Sequence, residues 1–498
     1  MPLFSVLEKE EIDLILSSAK EILREVGVKV YNDEALEIFL EGGVEVDYDA
    51  KLVKIGEDQI EEAIKKAPSA FNLYSRDGKE KYTVGEGNTY FIPGSAAIRV
   101  IDRETGKARA PLAKDYVELV RLVNELENLK FQSTALIPSD VPKEIADRYR
   151  LYIALCNTNK PIYTGAFTKD GAIVMKDMLA AVVGSEDELA KEPRAAFTCC
   201  PSPLLKWSDI TSQNVIDLAK YGIPVSILPM PLVGLASPAT LAGSLVQHVA
   251  EFFSGLVLAQ LVNPGTPVLF GGSPAPIDQR TATTLMGSVE TVLLTSALSQ
   301  IAKTLGMPTD MYVGLSNSNI LDEQASAETM LGMSLGALSG INMIEGAGMI
   351  EFESCQCFEK LVMDNEIAGI VYRLLRGIEV EEELLALDIL KEVGAGGNFT
   401  SSMKAMRLVM ERFNEEIHLL GPVFNTLSRK DWDLKVGKDA RTKAKELVSE
   451  LLSKAEPDLP PKDVIQELNK IMDLSAKKCG ISLEGLPWKC TDELLPTK

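Results

Sequence analysis

Histidine is almost missing from this chain, whose 498 residues include only His248 and His418. Imidazole-based zinc sites therefore have almost nothing to draw on. His248 falls inside the helical pattern LAGSLVQHVAEFFSG and His418 lies in the C-terminal tail, so no Ser-His-Asp or Cys-His set can be assembled. Positive charge is also short. Lys plus Arg number 51 against 72 for Asp plus Glu, a net charge of −21 that repels phosphate backbones and anionic membrane surfaces. Nucleic acid and membrane are thereby excluded as expected partners. No uninterrupted apolar run reaches membrane-spanning length, and the N-terminal MPLFSVLEKEEIDLILSSAKEIL lacks the basic start and apolar core of a signal peptide. The seven cysteines are odd in number and follow no disulfide spacing, which predicts reduced thiols in a cytoplasm. Cys355 and Cys357 form C-x-C with no Cys or His partner nearby in sequence, so no metal site is expected. P-loop, kinase and histidine-metal signatures are all absent.

What is present is a rhythm. The chain is 46% hydrophobic and 25% charged, enough apolar sequence for a large core. From Leu241 to Glu353 a helical apolar pattern three times meets a Gly, then a short apolar run, then a small polar loop. Extended in both directions, the rhythm gives candidate strands at 89–94, 129–139, 160–167, 194–202, 223–231, 266–273, 310–318 and 341–348, with helical stretches between them. Runs such as PVSIL, PVLF and INMI are apolar throughout, as strands buried on both faces should be. Eight strands alternating with helices predict an α/β fold, a (β/α)8 TIM barrel. An open doubly wound sheet is the competing fold. It lacks support because no G-x-G-x-x-G follows a strand, and GAGGNF at 394–399 follows a helix and reads as a helix stop.

Before the barrel, residues 1–88 read as an α+β extension. Ile12, Ile15, Leu16, Ala19, Ile22 and Leu23 make one helical stripe closed by Gly27, two more helices follow, and the DG and TG turns set off short antiparallel strands. The barrel is expected over 89–378. A helical tail over 379–498, too poor in continuous apolar sequence for its own core, is expected to pack on the barrel or on a neighbouring subunit.

In such a barrel the working residues lie at the C-terminal ends of the strands. There the sequence offers aromatic rings and acids: Phe91, Tyr163, Phe167, Trp207, Tyr312, Phe352 and Phe358, with Asp140, Asp278, Glu345 and Glu351. Ring faces attract quaternary ammonium groups. Glu345, directly after INMI, is a carboxylate at a strand end, costly there unless paired or functional.

Several segments together resemble the trimethylamine methyltransferase family: LAGSLVQHVAEFFSGLVLAQLVNPGTPVLFG, LSQIAKTLGMP, GLSNSNILDEQAS, INMIEGAGMIE and FEKLVMDNEI, with GAGGNF and the DARTKA helix. The similarity spans roughly residues 8–450 and is carried by the order and spacing of the motifs. It implies a (β/α)8 barrel that moves a methyl group from an amine to the cobalt of a separate corrinoid protein, the corrinoid (cobalamin) being supplied by that partner and not held permanently. The chain has only standard residues, so it resembles the branch without pyrrolysine, whose substrates are quaternary amines such as glycine betaine. No catalytic residue is expected, since a quaternary nitrogen is an activated leaving group and reduced cobalt is a nucleophile. Expected substrate-binding residues are Glu345, Phe91, Phe167, Trp207, Tyr312, Phe352, Arg280 and Asn317. The chain departs from the pattern of many family members, which have His in an I-H-G-A-G stretch and elsewhere T-D-S-K and G-G-H. It has Glu345, the run Ser316 to Asn319, and Asn398 at those places. Glu345 is expected to repel a betaine carboxylate, with Arg280 the nearest anion anchor. A homo-oligomer is expected, and the competing function is a non-catalytic barrel that binds quaternary ammonium compounds or serves as a complex subunit.

Overall fold

The computed structural model describes residues 4–435 and 437–491. Its centre is one eight-stranded sheet of β1 (Tyr90–Pro93), β2 (Gln132–Ser133), β3 (Ile162–Thr164), β4 (Ala195–Cys199), β5 (Val225–Ile227), β6 (Val268–Gly272), β7 (Thr309–Tyr312) and β8 (Met343–Ala347). Neighbours from β2 to β8 pair in parallel. The last strand returns to the first through Ile344 and Phe91, and a parallel bridge from Phe91 to Leu129 closes the ring beside β2. This is the (β/α)8 barrel, with every strand inside the run that predicted it except β7, which starts one residue before its run. Fully buried strands such as Val268–Gly272 and Met343–Ala347 show why those runs do not alternate: the lumen takes one face and the helices the other.

A helix follows each strand: α1 (Ala113–Asn124), α2 (Ala146–Leu155), α3 (Gly171–Val183), α4 (Asp209–Lys220), α5 (Leu241–Val262), α6 (Val289–Thr304), α7 (Glu323–Leu338) and α8 (Phe358–Arg376). Ser208, Thr240, Ser288 and Asp322 start α4 to α7, each side chain accepting from a backbone N–H of the first turn. The 22-residue α5 is long and apolar enough to cross a membrane, but 83% of its most apolar window is buried within the protein. The helix Lys9–Glu25 packs along it through a stripe that includes Ile12, Ile15, Ala19 and Leu23.

The N-terminal residues join the barrel covalently and through a small sheet. Val28–Val30 runs antiparallel to Leu52–Lys54 and parallel to Lys206–Trp207, which belongs to the loop between β4 and α4. A second element of this region has a separate task. The hairpin Phe71–Tyr74 with Lys81–Val84 brings Phe71, Leu73 and Val84 against Ile92, Phe131, Tyr163, Ala196, Leu269 and Met343 from the barrel. These side chains close the lumen at its N-terminal end. At the other end of the chain, Ala440–Lys454 packs on α8 and Lys462–Lys478 on α3. Gly394 and Gly396 take positive φ after the helix Leu387–Val393, so GAGGNF is a helix stop.

Candidate active site

Above the apolar floor the lumen turns polar. Asp310 on β7 accepts from the hydroxyl of Tyr163 on β3 and, at 2.8 Å, from that of Ser226 on β5, so one layer is built from alternate strands, as barrel geometry requires. Two residues on along β7, Tyr312 faces the same way. Glu345 on β8 completes the group, with no exposure to solvent.

Local sequence aims Glu345. The strand bulges between Glu345 and Ala347, where Gly346 has φ +120° and an added Cβ would stand 2.8 Å from that of Leu315. Only glycine fits there. The Glu345 carbonyl is gripped by the N–H groups of Val313 and Gly314, at 3.3 and 2.8 Å.

Neither oxygen of Glu345 meets a donor, and Oδ1 of Asp310 meets none either. Burial first, and then the charge of Asp310, push Glu345 well above the ordinary carboxylate range. Two buried carboxyls in contact cannot both ionise cheaply, and a proton carried by Glu345 and offered to Asp310 satisfies both. Burial raises Asp310 too, against which the hydroxyls of Tyr163 and Ser226 favour its charged form. Glu353 lies close by, its carboxyl pushed up to about 8 by burial.

The rim after β8 is a left-handed turn in which Glu351, Phe352 and Glu353 have φ of 51°, 56° and 76°. Three consecutive non-glycine residues in that region are strained. The turn is held by Glu351 N–H on the Ser318 carbonyl at 2.9 Å and by the Arg99–Glu351 ion pair at 2.7 Å, and it leaves Phe352 half-buried at the mouth.

Opposite lies a residue that the sequence reading passed over. Arg150 reaches from α2 across the end of β2, where Nη1 donates to the Thr134 carbonyl at 2.7 Å. Its guanidinium carbon sits 4.5 Å from the ring centre of Phe167 in the loop after β3. Nε and Nη2 are buried without a partner. Burial lowers Arg150 to about 10, so it remains cationic at neutral pH.

The expected site residues therefore divide. Glu345, Tyr312, Phe167 and Phe352 meet at the lumen or its rim. Phe91 does not: its ring points out to the helix layer, edge-to-face with Tyr372 of α8 at 5.0 Å. Trp207 is also core, its Nε1–H bonded to Ser254 of α5 at 2.8 Å. Arg280 projects into solvent with 88% of its side chain exposed and is tied only to Asp278, so it anchors nothing in the lumen. Asn317 braces its own loop, Oδ1 accepting from Gly287 N–H at 2.9 Å. Asp140 likewise serves a helix start, accepting from Ala113 N–H at 2.9 Å.

Asp310, Ser226 and Arg150 are the functional groups that sequence reading missed. An acid opening the strand DMYV was a visible signal for Asp310. Arg150 was disguised: Asp147, Arg148 and Arg150 fall on an arc of about 160° of one helix, the look of a solvent face. Yet all ten residues of α2 are buried.

Comparison with known proteins agrees with this architecture. The family described as trimethylamine methyltransferase (MTTB) matches residues 1–479. Trimethylamine methyltransferase MttB of Desulfitobacterium hafniense (strain DSM 10664 / DCB-2) is 31% identical over 473 residues, covering 95% of this chain and 94% of that protein. Its counterpart from Methanosarcina barkeri (strain Fusaro / DSM 804) is 32% identical over 477 residues, with 94% of each covered. A glycine betaine methyltransferase of Desulfitobacterium hafniense (strain Y51) is 29% identical over 401 residues, covering 80% and 83%. Among solved structures, the monomethylamine methyltransferase MtmB of Methanosarcina barkeri superposes with a TM-score of 0.53 at 13% identity, covering 92% of this chain and 89% of that one.

Proposed function

The chain belongs to the trimethylamine methyltransferase family, and from that premise we propose that it takes a methyl group from a methylated amine and passes it to the cobalt of a separate corrinoid protein in a reducing cytoplasm. The observation that carries this reading is the buried Asp310–Glu345 pair, two carboxyls inside the barrel with the apolar cluster of Phe71, Leu73 and Val84 at its N-terminal end. A methylammonium group is the complement of a carboxylate, and Tyr312 beside the pair has a ring of the kind whose face attracts such a cation. The seven free thiols fit the reducing compartment.

A docked corrinoid protein would supply reduced cobalt as the acceptor of the methyl group. The chain's own groups fit a nucleophile brought from outside. Cys199 and Cys200 stand at the end of β4, but burial pushes both thiols up, Cys200 to about 12, so neither is a thiolate at neutral pH. What remains for the lumen is to hold the nitrogen on Asp310, present a methyl toward the mouth and exclude water. One charge suits this task. The positive charge on nitrogen disappears as the methyl leaves, so a second ionised carboxylate would stabilise the bound amine more than the transition state. Glu345 in its protonated form keeps the total at one.

The test is cobalt methylation, followed by absorbance, when the protein is mixed with reduced corrinoid proteins and a panel of methylated amines. Methyl transfer from at least one amine is expected, and Asp310→Asn should raise its KM about tenfold or more with a smaller effect on kcat. Binding of amines with no transfer to any corrinoid protein would overturn this reading and leave a binding barrel.

A further inference from the structure

We propose that Lys360 and Asp364, a buried ion pair on α8 outside the lumen, are positioning residues for Glu345: through the backbone N–H of Gly348 they lock the bulge that aims the Glu345 carboxyl. This rests on the function proposed above and adds to it two residues that touch no substrate.

The chain needs such a lock. Glu345 opens the stretch EGAG, in which Gly346 and Gly348 both take positive φ, +120° and +83°. Two glycines within three residues leave the backbone free to take several other paths. On the near side the Glu345 carbonyl is already held by the N–H groups of Val313 and Gly314. On the far side both polar groups of Gly348 are taken. Its carbonyl accepts from Cys357 N–H at 2.9 Å, and its N–H donates to Asp364 Oδ2 at 2.7 Å. A bond to a charged acceptor is the strongest available to a backbone N–H, and this one reaches the strand from the helix layer.

Lys360 holds Asp364 in that pose. Its Nζ lies 2.5 Å from Asp364 Oδ2, one helical turn away, and also donates to Thr329 Oγ1 on α7 at 2.8 Å. Both side chains of the pair are 1% exposed. Taking a lysine and an aspartate wholly out of water is costly, and apolar residues of similar volume often hold a helix layer equally well. Packing therefore does not call for these charges. What an apolar pair cannot supply is an oxygen fixed in front of Gly348 N–H. With Gly348 clamped, the bulge has one geometry and the Glu345 carboxyl stays beside Asp310. Unclamped, the bulge relaxes and the carboxyl swings into room that the amine occupies, a displacement of the size that costs a site one to two powers of ten.

The experiment compares two double variants of the full chain, Lys360→Met/Asp364→Asn and Lys360→Met/Asp364→Leu. Both remove the buried charges, and only the first keeps an oxygen for Gly348 N–H. Circular dichroism checks the fold, and Lys360→Met/Asp364→Ala replaces the leucine variant if that one unfolds. In calorimetric titration with tetramethylammonium at pH 7, the asparagine variant should bind within threefold of the unaltered protein and the leucine variant at least tenfold more weakly. In a Glu345→Ala background the two should agree within twofold, because no carboxyl is left to displace. In the infrared spectrum without amine, the carboxyl band that disappears in Glu345→Gln should shift in the leucine variant and stay in place in the asparagine variant. An unmoved band, equal affinity in the two variants, or a loss that persists in the Glu345→Ala background each overturns this inference and marks the pair as structural. If the unaltered protein binds no amine, the proposed function falls, and the infrared band alone decides the positioning role.

Discussion

Glu345 shows how far burial changes the meaning of a residue. In the sequence it is an acid at the end of a buried strand, which reads as repulsion of a carboxylate. In the fold, burial first and then the charge of Asp310 favour its protonated form. Glu345→Gln should therefore leave amine affinity within about twofold, measured by the same titration, since one neutral hydrogen-bonding group replaces another. Glu345→His is the sharper change, because it removes the carboxyl partner of Asp310 and leaves it only the hydroxyls of Tyr163 and Ser226. Arg280 teaches the opposite lesson. Its ion pair with Asp278 lies in solvent, and Arg280→Ala should alter neither turnover nor stability by more than about 0.5 kcal/mol. Residue types near strand ends were visible in the sequence, but their direction was not. Phe91 and Glu345 both sit in barrel strands, and only the strand register sends one to the helices and the other to the lumen.

Elements were far more legible than side chains. Apolar runs bounded by Gly and Pro located all eight strands, because burial on both faces leaves an uninterrupted signature. Their ends were overestimated: the run at 129–139 yields only Gln132–Ser133 as strand, since the residues that follow leave the ladder to build the mouth. The hairpin at Phe71–Tyr74 and Lys81–Val84 was expected as antiparallel strands, while its position as the floor was not, because nothing local to DG turns says what lies above them. Its weight can be measured. Leu73 is fully buried against the barrel floor, and Leu73→Ala should cost about 2–4 kcal/mol, read as a lowered midpoint in urea with little change in slope.

At the scale of the molecule, buried titratable groups shape the pH dependence of stability. Glu251 on α5 is raised from 4.5 to about 7 by burial, and Glu345 is raised further. Folding makes each take up a proton, so their contribution is complete below about pH 4.5 and is lost as pH rises through neutrality, by about 3 kcal/mol for Glu251. His248 works in the other direction. Burial lowers it from 6.5 to about 3, so the folded protein resists a proton that the unfolded chain accepts, and stability falls as pH drops below about 6.5. Melting temperature should thus peak in weak acid, and Glu251→Gln should flatten the alkaline side. The tail adds a second expectation. Ile378, Met403, Met410 and Leu434 are 86%, 88%, 83% and 74% exposed, apolar surface of a kind made to be covered. Light scattering should return a mass above the 54.2 kDa of one chain.

The floor of the barrel also governs traffic. Because Phe71, Leu73 and Val84 pack across one end, the proposed reaction would bring amine and cobalt-bearing partner through the same opposite end. Whichever arrives second stands in front of the first. The proposed reaction would then run in order: the amine enters, the partner closes over it, and the demethylated amine leaves after the partner. Its kinetic mark is inhibition by excess partner: at low amine concentration, raising the corrinoid protein should slow turnover, and raising the amine should relieve it.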